Sequence, residues 1–382
     1  MKRIYLDHAA TTPLDKQVFE KMTPYFMDDY GNADSPHALG RKAMSAVDFA
    51  RDAVAECIHA NKNEVYFTSG GTEADNWAVI GAAKAQKKLG KNKIILSSIE
   101  HHAVLYAAEK LQNEGYEVCY LPVNEGGRVE TNALEAVIDD KTALVAVMAV
   151  NNETGVLQPV QELAEIAHSH GALFFTDAVQ AAPHIPIDVK AWGIDLLSFS
   201  SHKFYGPKGV GALYIKNGVK IDRHIGGGEQ ERGLRGGTVN VPLVVGFAAA
   251  YKKCVSEREI NNQKIKTLAN AFMQELSVLD GIKRNGDTQN ALDSVLNLQI
   301  DGVENTSLLF NMDLQGVCMA AGSACASASI KPSHVLTAMG LNERQAKQSV
   351  RISFGKDNEA DEVKAAAKIF VQTIERLRKK DK

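Results

Sequence analysis

The chain has 382 residues, 45% of them hydrophobic, with 43 lysines and arginines against 46 aspartates and glutamates. That size and apolar content allow a large core and predict two domains, or one large domain with a smaller companion. A formal charge of -3 gives no bulk attraction to nucleic acid or to a membrane surface, so neither is expected as a direct partner. The opening Met1-Lys2-Arg3-Ile4-Tyr5-Leu6-Asp7 meets acidic and turn residues too soon for a signal-peptide core, and no later apolar run is long enough to span a bilayer. Five cysteines without CxxC or metal-ligand spacing predict a reducing, cytoplasmic compartment, with no disulfide framework and no metal.

In chain order, short β-rich runs at 65–68, 94–97, 118–121, 144–147, 173–176, 196–199 and 212–215 alternate with helical patterns such as 160–167. Runs with so little polar alternation are expected to be buried on both faces, which predicts an α/β domain around a mainly parallel seven-stranded sheet. A long helical stretch from Val245 to about Leu279 then leads into a smaller α+β unit, with strands at 294–300 and 350–354 and helices at 307–312 and 359–378. The expected division is a large domain over 15–254 and a small one made of 1–14 and 255–382. Ligands of such sheets sit beyond the carboxyl ends of the strands, where Ser69-Gly70-Gly71-Thr72, Glu100-His101, Asn151-Asn152, Asp177 and Lys203 all fall.

The strongest chemical signal is Lys203, just past the apolar run 195–199, with Asp177 ending the preceding strand. A lysine amine can condense with the aldehyde of pyridoxal phosphate as a Schiff base, while a carboxylate keeps the pyridine nitrogen protonated so that the ring withdraws electrons. Lys208 competes for the role, but it sits in the turn Gly206-Pro207-Lys208-Gly209 and reads as a solvated charge. Gly71 and Thr72 open a helix directly after a strand and can offer donors to a phosphate, although a capped helix start would look the same. Ser200 and His202 flank Lys203 as further phosphate ligands. A flat imidazole from the 101–102 pair can cover the cofactor ring and exchange protons. Arg351 lies on an apolar strand, where its charge needs a partner: a substrate carboxylate or a protein one. The run Ala320-Ala321-Gly322-Ser323-Ala324-Cys325-Ala326-Ser327-Ala328-Ser329 has few groups with which to pack, so it reads as a mobile loop presenting the Cys325 thiol. Cys57, Cys119 and Cys254 fall in core patterns, and Cys318 reads as a structural residue ending a strand.

With these residues in place the chain resembles the cysteine desulfurases of the fold-type I, class V aminotransferase group, in the mobile catalytic-loop branch. The resemblance is carried by Tyr5-Leu6-Asp7-His8-Ala9-Ala10-Thr11-Thr12-Pro13, the segments 68–76 and 100–104, Asn151-Asn152-Glu153-Thr154-Gly155, 176–180, 200–209, 226–235 and Gly322-Ser323-Ala324-Cys325. It implies that His101 stacks on pyridoxal 5'-phosphate, that Gln180 bonds its phenolic oxygen, and that Asn152 and Arg351 hold the carboxylate of L-cysteine. It further implies phosphate binding by Gly71, Thr72, Ser200 and His202, with Thr238 supplied by the second subunit of a homodimer. The implied reaction turns L-cysteine into L-alanine and leaves a persulfide on Cys325. An acceptor protein, either an iron-sulfur scaffold or a tRNA-thiolation enzyme, would collect the sulfur. An aminotransferase or a cysteine or selenocysteine lyase on the same fold is the alternative enzyme, and it would have no need of Cys325. A non-catalytic sulfur-relay protein would not need Lys203, Asp177, Gln180 and Cys325 together. Two departures stand out: alanines occupy 320 and 321 where serines are common, and Cys318 adds a thiol close in sequence to Cys325.

Overall fold

The structure is a computed structural model that describes residues 3–322 and 332–380. After a short first strand β1 (Ile4–Tyr5), seven strands build the central sheet. They are β2 (Val65–Thr68), β3 (Lys93–Ser97), β4 (Glu117–Leu121), β5 (Thr142–Ala146), β6 (Leu173–Asp177), β7 (Leu196–Ser200) and β8 (Gly211–Ile215). Their spatial order is β2-β8-β7-β6-β5-β3-β4. Every neighbouring pair from β7 to β4 is parallel, and β8 is antiparallel to both β7 and β2, so β8 alone runs against the rest.

The unbroken apolar runs of the sequence have a simple origin. Successive strand residues point to opposite faces, and each face has its own core. Ile95, Val145, Phe174 and Leu197 enter one cluster, with Val47, Leu163 and Phe247 from covering helices. Their neighbours Ile94, Leu144, Phe175 and Leu196 enter the other, with Trp77, Val104 and Leu111. The run at 118–121 departs from the expectation of two-sided burial. As β4 it pairs with β3 alone at the edge of the sheet, and Glu117 and Tyr120 are exposed.

A single helix, Val241–Leu276, joins the sheet to the rest of the chain. Its first half packs Val244, Phe247 and Tyr251 into the sheet core. The second half packs Ile265, Leu268, Phe272 and Leu276 into a separate cluster. That cluster lies over β9 (Ile282–Arg284), β10 (Val295–Ile300) and β12 (Ser349–Ser353), in the antiparallel order β12-β10-β9, and is closed by the terminal helix Ala360–Lys380. The short strand β11 (Val317–Cys318) pairs in parallel with β1, so the beginning of the chain is held by this second unit. From there residues 7–15 cross to the sheet, where Thr12 N donates to His202 O at 2.9 Å and Asp15 N to Tyr205 O at 3.0 Å.

One turn beside the strand ends is strained. Glu231, Arg232 and Gly233 have φ of 45°, 56° and 75° in succession, and each of the two non-glycine residues pays about 1 kcal/mol for that region. Side-chain contacts hold them there. Glu231 accepts two hydrogen bonds from the Arg51 guanidinium, at 2.7 and 2.8 Å, and one from Phe67 N at 3.1 Å. Arg232 donates to Val65 O at 2.8 Å and lies 3.9 Å from the centroid of the Tyr66 ring. The turn thereby fixes the approach of residues 235–240 to the cavity described below. Glu231→Ala is expected to cost about 3–5 kcal/mol, because it strands a buried guanidinium as well as freeing the turn. Equilibrium denaturation in urea measures this, and a loss below about 1 kcal/mol would show that the pair carries no such burden.

Candidate active site

The carboxyl ends of β2, β3, β5, β6 and β7 open into a cavity of about 490 Å³. Of the residues expected to form a site, Gly71, Thr72, His101, Asn152, Asp177, Gln180, Ser200, His202, Lys203 and Arg351 all line it. Thr238 lines an adjoining pocket that shares Ser69 and Gly209 with this cavity. Cys325 lies outside the described residues.

Lys203 ends a 3-10 turn, Ser201–Lys203, that follows β7 directly. Its Nζ donates to the carbonyls of Ala9 and Ala10, the latter at 3.0 Å. Lys208 also reaches the cavity wall, but from an exposed turn. Asp177 ends β6 and is buried. Val179 N donates to its Oδ1 at 2.8 Å, and no described cation forms an ion pair with it. Burial, partly offset by that hydrogen bond and by the Lys203 charge, raises its carboxyl to about 6. Two more buried carboxyls stand nearby. Asp75 accepts from Ser198 Oγ at 2.5 Å, and burial together with the Asp177 charge holds its carboxyl well above the usual range. Glu100 accepts from Ser97 Oγ and from Met148 N, and burial raises it to about 8. Three buried carboxyls thus lie close together, and among the cations lining the cavity it is Lys203 whose charge acts on Asp177.

Both candidate imidazoles favour the neutral form. His101 Nδ1 accepts from Ala103 N at 3.2 Å and caps the helix His102–Asn113, which fixes the ring at the mouth of that helix. Burial, then the charges of Lys203, His102 and His334, lower its pKa to about 4. His202 Nδ1 lies 3.1 Å from Thr11 Oγ1, and burial next to Lys203 and Lys208 also lowers it to about 4. Of the two partners open to Arg351 from its sequence position, the structure shows the protein carboxylate. Nη2 pairs with Asp7 at 2.8 Å and Nη1 donates to Asn152 O at 2.9 Å, while the buried Nε has no partner among the described residues. Asp7 and Asp75 received no role from sequence reasoning, although both lie inside stretches that carried the resemblance. A charged residue within such a stretch signals a partner; it does not say which one.

Three features fit pyridoxal phosphate. Asp177 is a buried carboxylate in want of a cation, which a protonated pyridine nitrogen supplies. A Cβ at Gly71 would come within 2.9 Å of Val179 Cγ2 and 3.3 Å of Ser200 Cβ, so glycine lets this helix start lie close against two residues that line the cavity, with its amide facing the same space as Ser200. Gln180 Oε1 is buried without a partner among the described residues. Gly71, Thr72, Ser200 and His202 would hold the phosphate, with Asp177, Gln180 and His101 around the ring. Among the described residues no cluster of His, Cys, Asp and Glu is arranged to hold a metal ion.

The family pattern described as "Aminotransferase class-V" matches residues 4–366. A protein of Clostridium botulinum named "Cysteine desulfurase IscS" is 43% identical over 380 residues, covering 99% of this chain and 96% of that one. A protein of the same name from Methanosarcina thermophila is 43% identical over 377 residues, covering 99% and 93%. A solved structure titled "NIFS-LIKE PROTEIN" superposes with a TM-score of 0.92 at 35% identity, covering 98% of this chain and 100% of that one.

Two predictions follow from the geometry. Borohydride reduction of the loaded protein, followed by peptide mapping, is expected to fix the cofactor to Lys203 and not to Lys208; a label on Lys208 would overturn the assignment. Without cofactor, Asp177→Asn should be more stable than the parent at pH 7. The raised carboxyl binds its proton more tightly in the folded state, so its ionisation weakens the fold as pH rises from about 4 to about 6. An amide escapes that loss, and the advantage should vanish at about pH 4. Melting curves across this range check it, and an unchanged difference at all pH values would refute the burial argument.

Proposed function

The chain belongs to the class-V aminotransferase family, and on that premise we propose that it is a pyridoxal-phosphate-dependent cysteine desulfurase that carries sulfur on Cys325. The observation that favours this reading over an aminotransferase or a lyase is a contact of Arg351, the residue placed to hold the substrate. Ala320, close before the segment with Cys325, exchanges backbone hydrogen bonds with Arg351: Arg351 N donates to Ala320 O at 2.6 Å, and Ala320 N to Arg351 O at 3.2 Å. The chain leading to the thiol is thus attached to the group that orients the amino acid.

The cofactor supplies an electron sink next to the substrate Cα once it is bound. The side chains supply the remainder. Arg351 and Asn152 take the substrate carboxylate, with the unpartnered Nε of Arg351 as the available donor. Lys203 Nζ, released from the Ala9 and Ala10 carbonyls, accepts the α-proton. Neutral His101 would lie against the bound cofactor and could pass protons without repelling the lysine charge. The Cys325 thiolate attacks the substrate sulfur; the S–S bond forms as the substrate C–S bond breaks, and the electron pair left on the carbon fragment takes up a proton on the way to L-alanine. Thiol plus cysteine gives persulfide plus alanine, so atoms and electrons balance with no outside oxidant.

Sulfur then leaves on the protein for an acceptor protein, and we assign that role to an iron-sulfur scaffold or a tRNA-thiolation enzyme. A cytoplasmic homodimer is the proposed form. Its support is the set of exposed large apolar side chains Phe19, Phe26, Met27, Tyr30 and Phe49 on and between the first two helices, which a partner subunit would cover. No helix among the described residues is long and apolar enough to cross a membrane.

Cys325→Ser separates cofactor chemistry from thiol chemistry. The variant should bind the cofactor and exchange the substrate α-proton with solvent, yet form neither persulfide nor alanine, because a hydroxyl is far less acidic and less sulfur-seeking than a thiol. Mass spectrometry after one turnover reads the outcome. A persulfide on Cys318 in this variant would mean that the nucleophile is wrongly chosen.

A further inference from the structure

Glu153 is only 2% exposed, yet among the described residues it forms no ion pair and does not line the cavity. A buried carboxylate without a cation is costly, so what surrounds it matters. Ser333 Oγ donates to its Oε2 at 2.6 Å. Gly322 packs against the same oxygen so closely that a Cβ there would lie 2.8 Å from Oε2 and 3.2 Å from Cδ. The backbone beneath is fixed as well: Glu153 N donates to Asn151 Oδ1 at 2.9 Å, and Asn297 Nδ2 donates to Glu153 O at 3.1 Å.

Gly322 and Ser333 stand on either side of the segment 323–331 that includes Cys325. One carboxylate therefore touches both flanks. On the far side, Ser333 Oγ also accepts from Leu336 N at 3.2 Å and caps the helix His334–Ala338, so the flank continues into fixed structure. On the near side, Ala320 is tied to Arg351, whose Nη1 holds the carbonyl of Asn152, the neighbour of Glu153. We propose that Glu153 is a positioning residue for sulfur transfer: it clamps the two flanks of the thiol-bearing segment to the turn that carries Asn152. It acts on the thiol step and leaves cofactor and substrate binding alone. The inference rests on the desulfurase reading with Cys325 as nucleophile.

The test follows the loaded protein through its first turnover with L-cysteine, for the parent and for Glu153→Ala, Glu153→Gln and Ser333→Ala. Two signals are read: the cysteine-induced change in the cofactor absorption band, which reports binding, and persulfide on Cys325 by quenched-flow mass spectrometry. Glu153→Ala is expected to keep the band, its change and the cysteine dependence of that change, while persulfide formation slows by about 10- to 100-fold. Glu153→Gln retains an acceptor for Ser333 and should recover most of the rate. Ser333→Ala should slow the same step in the same selective way, and it carries the test if Glu153→Ala does not fold. Persulfide formation at the parental rate in Glu153→Ala, or in Ser333→Ala should it stand in, would overturn the proposal, as would a variant that loses binding and persulfide formation in equal measure. A parent that binds cysteine and forms no persulfide on Cys325 would instead sink the reading on which the proposal rests.

Discussion

The constraint on which this site turns is the burial of the Asp177 carboxylate, which has no ion pair within 4 Å among the described residues and only the Lys203 charge acting on it. A carboxylate at the end of a buried strand can be kept neutral by protonation, or be kept ionised by a positive charge placed against it. The protein offsets that burial with one backbone donor, Val179 N, and with the Lys203 charge, and the Asp177 charge in turn pushes up the neighbouring carboxyls of Asp75 and Glu100. Such an arrangement disfavours the empty state and favours a cationic ring nitrogen. The same low-dielectric wall keeps His101 and His202 neutral, so they donate or accept hydrogen bonds without adding charge beside Lys203.

The second organising element is the start of the chain. Residues 4–15 are anchored at one end by pairing of β1 with β11 and at the other by contacts to the segment 202–205. Between those anchors Asp7 pairs with Arg351, and the Ala9 and Ala10 carbonyls receive the Lys203 amine. The substrate-binding arginine and the cofactor-binding lysine thus have their unliganded positions defined by one stretch of a few residues. Arg351 keeps a buried Nε without a partner among the described residues, a donor in reserve for an incoming carboxylate.

Much of this was legible in the sequence because its physical cause is local. Two-sided burial turns each central strand into an apolar run, and the ends of those runs collect the polar residues that line the cavity. Lys203 and Asp177 stood out because charged residues at the ends of such runs are rarely idle. What was not legible depends on contacts distant along the chain. Two-residue strands such as β1 and β11 have no pattern of their own and form because the folded unit brings their edges together. The edge position of β4 follows from the sheet order, which periodicity does not encode. The left-handed turn at Glu231 and Arg232 contradicts local preference and exists only because Arg51, Val65 and Phe67 hold it. Glu153 and Asp75 read as parts of motifs, and only their three-dimensional neighbours give them separate tasks.

An isotope-edited infrared titration of the Asp177 carboxyl, with and without bound cofactor, tests the central claim most directly. The account predicts a carboxyl that takes up its proton near pH 6 in the cofactor-free protein and stays ionised through the neutral and mildly acidic range once the ring nitrogen faces it. An Asp177 that titrates alike in both forms, or is already fully ionised at mildly acidic pH without cofactor, would contradict it.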